Sequence, residues 1–253
     1  MPSNDFTFDE ARELVAGDYG RETLDLARSV VAPVWWDDPT LDVTNAIRSG
    51  TVFFADTGQE VLGFTAAHVF RACANARAGR CRILEWEVDL SERIVDINDD
   101  LDVVTFRVTG REISALSGEK RPLSLWPPRP PQAEKGVLIA GYPGRERRQE
   151  IGDGPSFGPY AAGLIATSVT PDGIAIAVEH DRLVDTLRIG LPAPGYDAGG
   201  MSGGPVLALF DSAGLCTWRL AGIIYEASPT LDLFLARRAD LIAADGTIMA
   251  RVN

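Results

Sequence analysis

Apolar side chains recur at near-helical spacing in the first part of the chain, with charged residues between them. Leu24 and Ala27 belong to this pattern, which predicts helical structure over residues 6–31. Two tryptophans, two aspartates and a proline then predict a turn at residues 35–39. We therefore interpret residues 1–42 as an N-terminal helical extension that caps the rest of the fold.

From residue 43 onward, short apolar runs alternate with turns rich in glycine and proline, which predicts an all-β fold. The proline-rich segment at residues 126–131 cannot join a central strand, because proline donates no backbone N–H. It divides the pattern into a first β-lobe, residues 43–131, and a second β-lobe, residues 132–236. Residues 237–253 are predicted to form a C-terminal helix and tail. Strands of the second lobe are predicted at residues 137–140, 163–170, 174–178, 185–189, 205–209, 219–225 and 231–236.

The composition excludes several classes of function. The formal net charge is −12, which argues against nucleic acid as a partner and against anionic membrane surfaces. No spacing of cysteine and histidine suggests a zinc site, and no metal or cofactor is expected. The N-terminus has neither the basic region nor the apolar region of a secretory signal, so we expect a soluble cytoplasmic protein.

The chain has three cysteines, Cys73, Cys81 and Cys216. Cys73 and Cys81 are close enough in sequence to pair across a short loop. The alternative, which we favour at this point, is that all three are free thiols in a reducing compartment.

Residues 200–205 have the sequence Gly-Met-Ser-Gly-Gly-Pro, and an apolar run follows them. Glycine permits backbone torsions that a Cβ forbids, so this sequence predicts a tight loop that exposes the hydroxyl of Ser202. Backbone N–H groups that remain free in such a loop can stabilise a developing oxyanion. Ser202 is therefore a candidate nucleophile.

A serine hydroxyl needs a base within hydrogen-bond reach, and the chain contains two histidines, His68 and His180. His68 lies between small and apolar residues, a context typical of an imidazole at the end of a buried strand. His180 lies in a polar stretch after a predicted strand, where we expect a solvated turn residue. His68 is thus the candidate general base.

The candidate carboxylate partner of His68 comes from the acidic residues that precede the β-rich segment 103–108. Asp100 and Asp102 can each be placed at the head of this segment, with Asp99 as a third choice. If Asp100 were the partner, Asp102 would occupy an apolar strand position, where burial of a charge is costly. This argument favours Asp102, and Asp100 remains open.

Three segments resemble the signature segments of trypsin-like (chymotrypsin-fold) serine peptidases of the bacterial type, in that family's order. They are residues 65–68 (Thr-Ala-Ala-His), 102–108 (Asp-Val-Val-Thr-Phe-Arg-Val) and 200–205. The resemblance spans roughly residues 44–240. It implies two antiparallel six-stranded barrels with the active site in the cleft between them.

The resemblance also implies roles for individual residues. His68, Asp102 and Ser202 correspond to the catalytic triad, and the backbone N–H groups of Gly200 and Ser202 to the oxyanion hole. Met201 stands where secreted animal members carry an aspartate that pairs with a new N-terminus after cleavage. Activation by N-terminal processing is therefore not expected.

Three residues correspond to positions that bind substrate in this family. Tyr196 lies six residues before the candidate nucleophile, where trypsins carry the acidic residue that selects Lys or Arg, so basic specificity is not supported. Tyr225 and Ala227 lie in a segment that resembles the strand edge to which the substrate backbone adds.

The sequence therefore predicts a serine endopeptidase that acts on polypeptide substrates. The alternative is a non-catalytic peptide- or protein-binding pseudopeptidase module on the same fold. A third hypothesis adds a regulatory partner protein that relieves inhibition by the N-terminal helices.

Overall fold

The computed structural model describes residues 8–38, 47–76, 81–149, 154–212 and 215–249. Strands dominate this part of the chain, which confirms the all-β prediction. The helices of the described part are α1 (Phe8–Ala16), α2 (Asp18–Ser29), α3 (Ala67–Ala74) and α4 (Gly110–Ser114). None of its helices is long and apolar enough to cross a membrane.

The first lobe is an antiparallel seven-stranded sheet that curls into a half-barrel, with the order β5-β4-β1-β2-β3-β7-β6. Its edge strands do not close on each other, so this lobe is a seven-stranded half-barrel where the sequence analysis expects a closed six-stranded barrel. The sheet has an additional edge because a short two-stranded hairpin pairs with its first strand. The strands are β1 (Val31–Asp37), β2 (Ile47–Asp56), β3 (Val61–Thr65), β4 (Cys81–Ile83), β5 (Trp86–Val88), β6 (Ile94–Asn98) and β7 (Val103–Arg107).

Strand β1 corrects the expectation of a turn at residues 35–39. The α2 helix ends at Ser29, and Pro33 follows, which a helix interior does not tolerate. The run from Val31 to Trp36 is rich in branched and aromatic side chains, so it pairs instead with β2 along its whole length. The first sheet therefore begins twelve residues before the predicted lobe boundary at residue 43.

The second lobe is a closed antiparallel barrel with the order β11-β12-β15-β14-β13-β8, as predicted for this half of the chain. A two-stranded hairpin lies beside it. Residues 185–189, predicted as a strand, form a turn instead, because the Asp185 carboxylate accepts the N–H groups of Ile189 and Gly190. The strands are β8 (Lys135–Gly141), β9 (Arg147–Gln149), β10 (Pro155–Phe157), β11 (Tyr160–Val169), β12 (Gly173–Ala177), β13 (Pro205–Ser212), β14 (Leu215–Ser228) and β15 (Leu233–Arg238).

The predicted C-terminal helix is also wrong. Residues Ala239–Leu241 form a single 3₁₀ turn, and the chain then reverses at Gly246, whose φ is +91°. Ile242 and Ile248 pair across this reversal and are buried in the core. The apolar spacing that suggests a helix arises from a turn that closes over the first lobe.

Three hydrophobic clusters hold the molecule together. One fills the first lobe, one fills the barrel, and the third joins the two lobes to the N-terminal helices. This third cluster combines Phe53 and Phe64 of the first lobe, Leu207 and Leu220 of the second, and Ala27 of α2. Because α2 contributes to this shared core, the N-terminal extension is an integral part of the fold.

A disulfide joins Cys73, near the end of α3, to Cys81, the first residue of β4, with their Cα atoms 5.7 Å apart. The structure thus selects the pairing across the short loop and corrects the expectation of free thiols at these two positions. The side chain of Cys216 lies outside the described residues. The disulfide attaches the helix that carries His68 to the sheet.

Candidate active site

The imidazole of His68 and the carboxylate of Asp102 are in direct contact. His68 is the second residue of α3, immediately after the turn that ends β3, and Asp102 immediately precedes β7. The Asp102 Oδ2 atom lies 2.6 Å from His68 Nδ1, and its Oδ1 atom accepts the backbone N–H of His68 at 2.8 Å. Both carboxylate oxygens therefore fix the histidine, one through its ring and one through its backbone.

The backbone of Asp102 adopts φ = +54°, a left-handed conformation that aspartate tolerates better than most residues. Of the three acidic candidates, the structure brings Asp102 to His68. Asp99 is engaged elsewhere, because the hydrogen bonds from the Arg71 guanidinium hold the pKa of this carboxyl below its usual range. Asp100 is exposed, and its carbonyl accepts a hydrogen bond from Arg237.

The Ser202 loop lies against the strand that leads to His68. A Cβ added at Gly203 would lie 3.0 Å from the Cα of Thr65, which precedes His68 by three residues. The hydroxyl of Ser202 donates a 3.1 Å hydrogen bond to the carbonyl of Tyr225 on β14. The structure thus brings the three predicted residues to the junction of the lobes, and in it the Ser202 hydroxyl is bonded to β14.

Gly200 and Ser202 present their backbone N–H groups without an acceptor from the described part of the chain. Gly200 has φ = +101°, and the preceding carbonyl, that of Gly199, accepts the N–H of Gly144 at 2.6 Å. The carbonyl is therefore held by the Gly144 segment and does not bond to the two amides. Two free donors next to a serine hydroxyl are the arrangement that oxyanion stabilisation needs.

Thr51 is a site residue that the sequence analysis missed. It is fully buried on β2, and its hydroxyl donates to the Gly200 carbonyl at 2.7 Å and accepts the N–H of Tyr142 at 2.9 Å. Its backbone N–H donates to the Ser202 carbonyl, and its carbonyl accepts the Thr65 hydroxyl. One side chain thereby ties the serine loop to both lobes. The only signal in the sequence is a threonine at the head of an apolar run.

Two of the three predicted substrate-binding residues line a small pocket next to the serine loop. Tyr196 and Ala227 both line this pocket, whose volume is about 20 Å³. The Tyr196 hydroxyl donates to Glu146 at 2.7 Å, and its ring stacks on Tyr160. Burial raises the pKa of Tyr196, with a further contribution from Glu146, so its phenol stays protonated at neutral pH.

His180 also lines this pocket, contrary to the expectation of a solvated turn residue. Its side chain is 22% exposed, and its Nε2 atom lies 3.2 Å from Asp232 Oδ1. The contact with His180 and the N–H of Gly195 hold the pKa of Asp232 below its usual range. Because the contact crosses fifty residues of sequence, no local pattern indicates it.

Tyr225 contributes its backbone to the site, and its side chain lies under a cation. The carbonyl of Tyr225 accepts the Ser202 hydroxyl, and the Arg237 guanidinium lies 4.2 Å from the centre of its ring. Among the described residues, no group of three or more His, Cys, Asp or Glu side chains is arranged to hold a metal ion.

The comparisons with known proteins agree with this geometry at the level of the family. The model of the trypsin-like peptidase domain matches residues 48–214, about two thirds of the chain. No sequence among curated proteins matches significantly.

Many solved structures match this chain distantly, including the following two. A mutant of the tobacco etch virus protease has a TM-score of 0.46 at 11% identity, and the match covers 83% of this chain and 73% of that one. An inactive mutant form of Rv3671c from Mycobacterium tuberculosis has a TM-score of 0.45 at 15% identity, with 89% and 87% covered. The family match, which includes His68, Asp102 and Ser202, supports a peptidase function. The chain therefore belongs to the family of trypsin-like peptidase domains.

Proposed function

We propose that the protein is a serine endopeptidase in which Ser202, His68 and Asp102 form the catalytic triad. The observation that carries this proposal is the two-point contact between His68 and Asp102 beside the glycine-rich serine loop. A carboxylate on Nδ1 leaves Nε2 as the basic atom of a neutral imidazole, which is the tautomer that can take a proton from serine.

In the proposed reaction, the Ser202 hydroxyl leaves the Tyr225 carbonyl by a change of χ1 rotamer and donates to Nε2 of His68. The oxygen attacks the scissile carbonyl while the proton passes to the imidazole. Asp102 stabilises the imidazolium, which then protonates the leaving amine. Water repeats the sequence on the acyl-enzyme and releases the second product.

The amides of Gly200 and Ser202 stabilise the oxyanion in this proposal. Their loop is held by packing, because the Met201 side chain is fully buried in the barrel core. A Cβ at Gly141 would lie 2.8 Å from the Met201 sulfur, which shows how closely the side chain is enclosed. A buried methionine here replaces the activating ion pair of the secreted animal enzymes, so the active loop requires no cleaved N-terminus.

The small pocket next to the loop favours substrates with a small side chain before the scissile bond. A pocket of about 20 Å³ holds roughly one water molecule. The stacked rings of Tyr196 and Tyr160 occupy the space in which a bulky substrate side chain would otherwise lie. We expect cleavage after Gly, Ala or Ser in an unbiased peptide library.

A fluorophosphonate probe, which labels activated serines, tests the proposed nucleophile. We expect the native protein and Ser114→Ala to be labelled and Ser202→Ala to remain unlabelled. Ser114 is a matched control because it is exposed and, among the described residues, its hydroxyl bonds only to the carbonyl of Arg111. Labelling that persists in folded Ser202→Ala would exclude Ser202 as the nucleophile.

The bond from Ser202 to the Tyr225 carbonyl favours one second candidate, a peptide-binding module without turnover. In that case the native protein would retain immobilised peptides of the small-residue class, and neither labelling nor hydrolysis would occur at any pH between 6 and 9.

A further inference from the structure

A large cavity lies between the N-terminal helices and the second lobe. It shares Tyr160, Pro192 and Tyr196 with the small pocket next to the serine loop, and neither His68 nor Ser202 lines it. Its volume is about 970 Å³, at the upper end of the range for small-molecule sites. The N-terminal helices α1 and α2 form one wall, and the outer face of β8 and β11 forms the other. The Thr186 hydroxyl donates to the Val15 carbonyl at 3.0 Å and so fastens the helices over the cavity.

The wall of this cavity is predominantly apolar. Of the eight large apolar side chains that are exposed among the described residues, five line it. Ile189 is 76% exposed and Leu191 is 47% exposed, which is unusual for side chains of this size. Contiguous apolar surface of this kind marks a binding site. The five are Val15, Tyr19, Ile189, Leu191 and Leu209.

Cations outnumber carboxylates around the cavity, although the whole chain carries a net charge of −12. Its three carboxylates already have partners within the protein: Glu146 accepts Tyr196, Glu179 pairs with Arg182, and Asp185 accepts two backbone N–H groups. In the described part of the chain, the lining cations Arg12, Arg28 and Lys135 form no ion pair with a carboxylate. The cavity therefore has positive charge to offer to a ligand.

Among these cations, Arg28 gives the strongest indication of an anionic ligand. Its Nε atom is buried and has no hydrogen-bond partner among the described residues. Its backbone carbonyl accepts the Lys120 ammonium, so a second cation lies close behind it. Burial, with a contribution from Arg28, lowers the pKa of Lys120 to about 8. A buried donor without an acceptor is costly, and a ligand carboxylate would satisfy the Arg28 Nε through a charge-assisted hydrogen bond.

From these observations we infer that the cavity binds an amphipathic carboxylate, a long aliphatic chain whose anionic end lies at Arg28. The aliphatic chain covers the exposed apolar side chains, and the carboxylate of the ligand pairs with the Arg28 guanidinium, for which the described residues supply no anion. This inference does not rest on the proposed peptidase mechanism, because it concerns a binding equilibrium at Arg28, which lines the large cavity and not the small pocket.

Titration calorimetry on the full-length protein tests the inference with three ligands of equal chain length, each below its micellar concentration. We expect dodecanoate to bind at least tenfold more tightly than dodecyltrimethylammonium, with dodecanol between them. Arg28→Gln should weaken dodecanoate about tenfold, the loss of one charge-assisted contact, and leave dodecanol unchanged. Equal binding of the cationic and anionic ligands would overturn the inference.

A filling variant locates the site. Gly163 lines the cavity on β11, and a Cβ added there meets nothing within 4 Å, so Gly163→Trp should fold and occupy the space. Gly110→Trp is the matched control, because Gly110 is also open and lies on α4 in the first lobe. Dodecanoate binding should be lost in Gly163→Trp and retained in Gly110→Trp. Native affinity in a folded Gly163→Trp protein would exclude this cavity.

Discussion

The two lobes place their parts of the site by different means. The first lobe, an open sheet, fixes His68 through side-chain contacts: the Asp102 carboxylate bonds to it twice, and the disulfide anchors its helix. The second lobe, a closed barrel, fixes Ser202 through its backbone, with glycines at positive φ on either side and Met201 buried between them.

This difference predicts which substitutions each lobe tolerates. In the first lobe, a change of side-chain chemistry should remove function and leave the fold intact, since the half-exposed imidazole carries little of the core. In the serine loop of the second lobe, a single added methyl group should damage the fold itself, since this loop packs backbone against backbone.

Asp102→Asn provides the largest expected effect. An amide in place of the carboxylate favours the wrong imidazole tautomer and removes the charge that stabilises the imidazolium. We expect kcat to fall by about 10⁴-fold with little change in the free energy of unfolding. Steady-state hydrolysis and urea unfolding measure the two quantities. Asp100→Asn, which alters an exposed carboxylate away from His68, is the control and should behave like the native protein.

Gly203→Ala tests the backbone argument. A Cβ at this position would lie 2.0 Å from the carbonyl oxygen of Thr51, and φ is +92°. We expect the free energy of unfolding to fall by at least ~3 kcal/mol, because backbone strain and a backbone clash add together. Gly163→Ala is the matched substitution into open space and should change stability by less than about 1 kcal/mol. Similar stability of the two variants would refute the claim that backbone packing fixes the serine loop.

Thr51→Val examines the residue that links the lobes. Valine keeps the shape and removes the hydroxyl, so the Gly200 carbonyl and the Tyr142 N–H lose their partner in a buried place. We expect a loss of about 2–3 kcal/mol in stability and a decrease in kcat that exceeds the change in KM. Thr65→Val removes one hydrogen bond to the Thr51 carbonyl, so it should lower stability and kcat less than Thr51→Val does. An unchanged kcat would show that the oxyanion loop does not depend on Thr51.

The sequence predicted the features that short segments encode. The glycines of the serine loop, the small residues before His68 and the alternating runs of the barrel each carry a local signal. The choice of Asp102 over Asp100 rested on the cost of burying a charge, and the structure places Asp102 against His68. The catalytic roles themselves stay predictions until the substitutions are measured.

Features that depend on distant contacts were missed. Val31–Asp37 is a strand because it pairs with β2 along one edge and with β4 along the other. His180 lies beside the small pocket because Asp232 is brought to it by the barrel. The large cavity forms between helices and strands more than a hundred residues apart, so no periodicity in the sequence indicates it.

The smallest expected effect concerns the contact of Lys120 with Tyr142, which joins the two lobes. The Lys120 ammonium donates to the Tyr142 hydroxyl at 2.9 Å, and burial lowers the pKa of Lys120 to about 8. A lysine with a depressed folded-state pKa binds fewer protons in the folded than in the unfolded chain above pH 8. Folding stability should therefore rise with pH until the unfolded lysine also titrates near its ordinary pKa.

Lys120→Met isolates this effect. Between pH 8 and pH 10, the native protein should gain about 2 kcal/mol in stability relative to Lys120→Met, as measured by urea unfolding at both values. The comparison with the variant matters because burial raises the pKa of Tyr160 to about 12, and a buried tyrosine lowers stability as pH rises through its unfolded pKa. Both proteins share that loss, so it cancels in the difference. A difference that stays constant with pH would contradict the prediction, because it would mean that the folded protein keeps Lys120 charged over this range.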